Sequence, residues 1–330
     1  MKVALFGSKD FDSLEYHTKD ALNHLSHQVV HIDIKDFVNM PYIYNYWAIK
    51  FFKKYSRYLG RKAAEIIIEE KPDLVICTYR FIHPECVKQI KNALPNTPVV
   101  HLNPDQLTTL ENQEIFASPY DVYFTKDPFM VKFMKDKMGL NAKHMPEAFN
   151  QRLHKPPIGD RLRIEDQTAI DVLTFGTMYP YRSNMVQKLI NANVNVSLYG
   201  SPDWRFGKTS IDAHFNNEFI TGERKSRLLY GAKIVFNNFH YAEVESVNAK
   251  FFEINGIGGF QICDYKQSIE NYSPIDPQEF TYNNINEAID LINFYLDKPE
   301  LRHRIAARQY EHFKAHHTYD IRVQQILEAI

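Results

Sequence analysis

Glu245 and Glu253 stand eight positions apart in ESVNAKFFEINGIGGF, residues 245–260. Ser246 and Asn248 between them are good helix N-caps, and Gly258-Gly259 is a stop signal. Eight residues of helix span about 12 Å, and positions i and i+8 fall near one face. Carboxylates spaced that way can hold hydroxyls at the two ends of an extended ligand. Backbone N–H groups at the helix start, its positive end, suit an anion between them. Sugar hydroxyls, a diphosphate and ribose hydroxyls follow one another in this order in a nucleotide sugar. The competing reading is a surface Glu245 and a Glu253 that hydrogen-bonds a neighbouring helix.

Other chemistry-bearing residues sit in turns after short β-branched runs. Gly176–Arg182 reads GTMYPYR. Its glycine lets a ligand approach the backbone, Thr177 follows, and Arg182 can reach a phosphate; alternatively Arg182 is an exposed arginine opening a helix. Gly200–Arg205 reads GSPDWR, with Trp204 as a stacking platform or a packing residue. His240 follows an NNF run at a strand end. In the first half, Gly7-Ser8 and Asn103–Asp105 occupy corresponding turns, and Asp105 is a candidate general base or acceptor contact.

These turns need a frame. KVALF, QVVHIDI, DLVIC, PVVH, DVYF and Ala142–Met145 alternate with helical stretches in the first half. IDVLTF, NVSLY, KIVFN and FQIC do the same in the second, followed by a long helical tail. Such alternation implies βαβ units and mainly parallel sheets. Between the halves, Gln151–Gln167 holds Pro156-Pro157, Gly159 and a run of charges, and reads as a linker. The expectation is α/β: two doubly wound domains facing a cleft, with ligands beyond the carboxyl ends of the strands. The expected divisions are an acceptor-side domain 1–155, a donor-binding domain 156–312 and a C-terminal helix 313–330 crossing back to the first domain.

Composition narrows the function classes. The chain has 330 residues, 44% hydrophobic and 24% charged, enough for two buried cores. A net charge of -1 disfavours bulk nucleic-acid binding. The 3 cysteines, Cys77, Cys86 and Cys263, lack zinc or disulfide spacing. No GxGxxG follows the first strand, and no P-loop or GxSxG elbow occurs. The N-terminus turns polar too soon for a signal peptide and no run spans a membrane, so the expected setting is cytoplasmic. Residues 37–62 stand out, rich in Tyr and Phe with Lys50, Lys53, Lys54, Arg57, Arg61 and Lys62. They read as an amphipathic helix with a solvated basic face, or as a grip for an acceptor or an anionic, peripheral membrane surface.

The string NAKFFEINGIGGFQICD, Asn248 to Asp264, resembles the signature of CgeB-like proteins, which are spore-maturation-type glycosyltransferases related to the retaining GT-B group. Asn248, Phe252, Glu253, Gly258, Phe260 and Asp264 fit its pattern. AKIVFNNFHY, Gly176 with Arg182, the Tyr199–Trp204 turn and His317-Thr318-Tyr319 with Arg322 are also similar. So are YDVYFTKDPFMVKFM and GLNAKHMPEAFN in the first half, so the likeness runs over most of residues 70–325. The resemblance implies a GT-B fold and transfer of a sugar, with retention, from a nucleotide-diphosphate sugar. It implies that Glu253 binds the donor ribose, Glu245 the transferred sugar and Arg182 the departing diphosphate, with no metal or cofactor. The leaving phosphate would then assist acceptor deprotonation. Lys250 stands where the family usually has Arg, and Arg205, Lys208 and Lys250 are candidates for the second basic phosphate ligand. Gly176, Thr177, Gly200, Trp204, His240 and Asn248 complete the donor side. Gly7, Ser8, Asn103 and Asp105 form the acceptor side, for a glycan, lipid-linked sugar, protein or nucleic acid. The alternatives are a catalytically silent coat protein on this fold, or a nucleotide-sugar epimerase.

Overall fold

The computed structural model describes residues 1–103, 105, 113–201 and 211–330. It divides into two compact units, one of Met1–Pro146 with Tyr319–Ile330, the other of Glu147–Thr318.

The first unit holds β1 (Lys2–Phe6), β2 (Gln28–Ile32), β3 (Leu74–Cys77), β4 (Val99–Asn103), β5 (Val122–Thr125) and β6 (Ala142–His144). They form one sheet in the order β2-β1-β3-β4-β5-β6. Every pairing is parallel. The second unit holds β7 (Val172–Phe175), β8 (Val196–Tyr199), β9 (Ile234–Asn237), β10 (Gln261–Asp264) and β11 (Thr281–Tyr282). Their order is β11-β10-β9-β7-β8, again all parallel. Counted from its own first strand, the first sheet runs 2-1-3-4-5-6 and the second 2-1-3-4-5, so in each the strand order reverses between the first and third strands.

The strands are continuous apolar runs because helices cover both faces. In the second unit Val172, Ile234, Phe236 and Ile262 point into one apolar layer, and Leu173, Phe175 and Val235 into the other. All three cysteines are buried thiols inside such layers.

Some expectations need correcting. Gln151–Gln167 is more than a linker: a helix covers Arg161–Thr168, started by Asp160, whose carboxylate accepts from the Arg163 N–H at 2.9 Å. Its Glu165 is buried against Arg302 and His303 of the helix Pro299–His316. The charges read as linker polarity therefore hold this helix down. Position 313 lies inside that same helix; the break comes at His317-Thr318, and Tyr319–Glu328 is a separate helix grouped with the first unit. Residues 37–62 hold two helices rather than one, Tyr42–Phe51 and the first part of Lys53–Glu70.

Candidate active site

The site is assembled at the reversal point of the second sheet, between the carboxyl ends of β7 and β9. Pro180 opens the helix Pro180–Asn191, where its missing N–H costs nothing. This puts Arg182 in the first turn, and its side chain turns inward. Arg182 is 7% exposed. Its guanidinium donates to the Thr177 carbonyl at 2.6 Å and to the Asn238 carbonyl at 3.3 Å. It therefore ties the turn after β7 to the turn after β9. Burial works against its charge, while the Tyr179 and Asp264 side chains support it.

Lys250 arrives from the other side. It lies in the first turn of the helix Ala249–Ile257, whose N-cap is Asn248. The Asn248 carboxamide accepts from the Phe251 N–H at 3.0 Å and exchanges hydrogen bonds with Asn237 at the end of β9. That side chain thus fixes where the helix begins. Lys250 donates to the Phe175 carbonyl and lies over the Phe175 ring, 4.5 Å from its centroid. Burial, then the neighbouring Arg182 charge, push its ammonium well below the usual lysine range, and Glu253 acts in the opposite sense.

Glycine makes room for both cations. Gly176 has φ +100°, and a Cβ there would lie 2.6 Å from Lys250 Nζ and 3.8 Å from an Arg182 guanidinium nitrogen. Gly200, at φ +108°, packs so closely that a Cβ would lie 2.6 Å from the Gly176 carbonyl oxygen. The turns after β7 and β8 are stacked backbone on backbone.

Glu253 lies one helical turn beyond Lys250. Its carboxylate sits 3.2 Å from the ammonium of Lys225, itself almost fully buried. Residue types alone did not single out Lys225; it comes from the helix Gly222–Gly231. Asp264, at the end of β10, also belongs to this group. It accepts from the Phe239 N–H at 2.5 Å, and burial pushes its carboxyl up. Asn238 is buried directly after β9. The common signal for Asn238 and Asp264 was their place at strand ends.

Other expected residues lie elsewhere in the unit. His240 Nδ1 accepts from the Ala242 N–H at 3.1 Å, and its ring meets Tyr179 edge-on at 5.4 Å. Glu245 is in an exposed loop whose backbone is pinned by the Ser268 hydroxyl, donating to the Glu245 carbonyl at 2.6 Å. The buried carboxylate of that loop is Glu243, which accepts from Ser246. Trp204, Arg205 and Lys208 lie outside the described residues.

In the first unit, Gly7 and Ser8 follow β1, and the Ser8 hydroxyl accepts from the Asp10 N–H at 3.1 Å. Asn103 ends β4, donates to the Asp105 carbonyl at 2.5 Å and is buried. Asp105 pairs with Arg80 at 3.2 Å. β3 lies between the two groups, so this sheet sets them apart rather than side by side.

Comparison with known proteins adds to this geometry. The Glycosyl transferase-like family matches residues 182–328. Spore protein CgeB of Bacillus subtilis (strain 168) is 23% identical over 252 residues, 66% of this chain and 75% of that protein. Among solved structures, sucrose-phosphate synthase from Thermosynechococcus elongatus superposes with a TM-score of 0.70 at 10% identity, covering 99% of this chain and 97% of that one. A glycosyltransferase from Rickettsia africae gives 0.65 at 11% identity over 99% and 97%. T4 phage β-glucosyltransferase, solved with its UDP-glucose substrate, gives 0.59 at 13% identity over 100% and 99%. At these identities the solved structures speak for the fold, and the family and CgeB matches speak for the chemistry. Together they support a GT-B fold and a likeness to CgeB-like glycosyltransferases.

Proposed function

We propose that the second unit binds a nucleotide-diphosphate sugar at the reversal point of its sheet, and that the sugar is transferred with retention and without a metal. The observation that carries this is the pair of cations, Arg182 and Lys250, on either side of Gly176 and beside the start of the helix Ala249–Ile257. Holding two like charges together, one buried and one half-buried, is costly unless an anion joins them. A diphosphate supplies that anion, and the crevice at such a reversal point is where ligands of parallel sheets sit. The helix N-terminus adds N–H donors.

In this reading Arg182 and Lys250 stabilise the charge that develops on the leaving diphosphate, the task a metal performs elsewhere. Glu253, ion-paired with Lys225, holds the ribose hydroxyls. Gly176, Thr177 and Gly200 provide the backbone face against the phosphates. Asn248 acts through the helix it caps. Glu245 reaches the transferred sugar from its exposed loop. The first unit takes the acceptor through the turns at Gly7-Ser8 and Asn103–Asp105.

A thermal-shift panel of nucleoside diphosphates and their sugars tests the donor site. A ligand at 100 times its Kd stabilises by about 2.7 kcal/mol. One nucleotide should raise Tm in wild type and fail to do so in Glu253→Ala and Glu253→Gln, each read against its own ligand-free Tm. Absence of a shift with every nucleotide would remove the donor assignment. Turnover of that donor in EDTA, with the product anomer read by NMR, tests metal independence and retention.

A further inference from the structure

The helix Tyr42–Phe51 is turned inside out. Its buried positions are Asn45 and Ile49, with Asn45 accepting from the Tyr55 hydroxyl at 2.8 Å. Its outer positions carry Tyr42, Ile43, Tyr44, Trp47 and Phe51, followed by Phe52. Tyr44, Phe51 and Phe52 are each about two-thirds exposed, at 66%, 66% and 65%. A surface helix ordinarily shows the reverse pattern, and a contiguous exposed apolar patch marks an interaction site. The patch is held stiffly, because Trp47 stacks on Phe51 at 5.6 Å and the next helix is anchored by buried Leu59, Ala63 and Ile67.

Charge says what covers it. Residues 37–62 carry six cations and no acidic residue, in a chain whose net charge is -1. The two kinds of residue are largely segregated: most of the exposed rings lie in 42–52 and five of the six cations in 53–62, where Tyr58 is the exposed ring among them. Lys53, Lys54 and Arg57 are exposed. We propose that this patch docks on an anionic lipid bilayer, with the rings of 42–52 entering the interface and the cations of 50–62 at the headgroups. That is the arrangement of an interfacial helix, where apolar burial and attraction to anionic lipid add. A single-stranded nucleic acid would favour cations interleaved with the rings along a groove. A second copy of the chain, related by a two-fold axis, would bring two such cationic stretches face to face. The proposal does not depend on the donor site.

Sedimentation with vesicles tests it. The full chain should bind vesicles of equimolar phosphatidylcholine and phosphatidylglycerol, at least about tenfold more tightly than pure phosphatidylcholine, and less so as salt rises. Phe51→Ser/Phe52→Ser and Lys53→Glu/Lys54→Glu should each weaken binding by at least about tenfold. These residues are exposed, so Tm should hold in both variants, and any nucleotide shift seen in wild type should persist. No binding to the mixed vesicles overturns the proposal. Binding indifferent to Phe51→Ser/Phe52→Ser also overturns it, leaving ionic adsorption alone. Retention of a single-stranded oligonucleotide without vesicle binding would replace the bilayer with nucleic acid. A dimer abolished by Phe51→Ser/Phe52→Ser, without vesicle binding, would replace it with a second copy.

Discussion

The two sheets share the order of their first five strands and reverse at equivalent places, yet acids fill one reversal point while two cations flank the glycine at the other. In the first unit, between β1 and β3, Thr78 donates to the buried carboxylate of Glu15 at 2.6 Å. A Cβ on Gly7 would collide with Thr78 Oγ1 and lie 2.8 Å from a Glu15 oxygen. Asp33, at the end of β2, is buried and accepts from Lys9 N–H, Lys35 N–H and the Tyr79 hydroxyl. That crevice is filled and lined with acid. In the second unit the equivalent place holds Arg182 and Lys250 around Gly176. Topology provides a crevice twice, and side-chain charge decides which one an anion can enter.

The sharpest way to break this contrast is to remove the buried guanidinium. Arg182→Met should weaken binding of the donor nucleotide by about 3 kcal/mol, more than a hundredfold, the usual loss when one partner of a desolvated charge pair is removed. Arg182→Lys should fall between, since it keeps charge and loses the fork that bridges Thr177 and Asn238. Calorimetric titration reads both, and an unchanged affinity in Arg182→Met would move the donor elsewhere.

The next effect separates backbone from side chain within the same turn pair. Gly200→Ala should destabilise by about 2 kcal/mol, from a left-handed φ and a Cβ driven against the Gly176 carbonyl. Gly176→Ala meets instead the tip of a flexible lysine, so its stability loss should be nearer about 1 kcal/mol, the cost of φ alone. Its damage should appear in donor affinity. Urea unfolding beside nucleotide titration gives the two numbers. Equal losses of stability would mean that the two glycines do not divide the work this way.

Much of this frame was legible in residue order. KVALF, DLVIC, IDVLTF and NVSLY each end at or next to an observed strand end, because apolar β-branched runs buried on both faces have few alternatives. Asn248 as the cap and Gly258 as the left-handed end of the helix were equally readable. The environment of the site residues was not. Arg182 looks like any arginine opening a helix until β9, 52 residues after the end of that turn, lies beside β7 and presents the Asn238 carbonyl. Lys250 looked like a weaker substitute for arginine; its neighbours, Arg182 and the Phe175 carbonyl, come from a non-adjacent segment. Lys225 was invisible for the same reason, and Asp264 showed as a pattern residue without its partner, the Phe239 N–H. Polarity misled at Gln151–Gln167, where Glu165 meets its partners more than 130 residues later.

Lys250 also gives a contrast in protons. Its ammonium is pushed well below the usual lysine range by burial and by Arg182. A diphosphate beside it would favour the charged form and raise that value. Donor binding should therefore take up protons, and apparent affinity should fall by up to about tenfold per pH unit, ~1.4 kcal/mol, as pH rises above the depressed value. The linked stability term has the same origin. The folded state disfavours the proton, so stability of the ligand-free protein should increase as pH rises through Lys250's folded value toward that of the unfolded chain. Titrations in buffers of different ionisation enthalpy count the protons. Lys250→Met should abolish the uptake, and an uptake that survives it would belong to another group.

The smallest expected effect lies in the first unit. Glu15→Gln keeps an acceptor for the Thr78 hydroxyl and removes the charge, so it should cost about 1 kcal/mol of stability or less. Donor affinity should not change. The direction of any change is informative, because a buried carboxylate repels a phosphate. If the donor sat at the β1–β3 reversal point, neutralising Glu15 would tighten binding, and Arg182→Met would leave it alone. Measuring the two variants side by side with one nucleotide assigns the anion to one sheet: the predicted pattern is a large loss at Arg182 and none at Glu15, and the reversed pattern would transfer the site to the first unit.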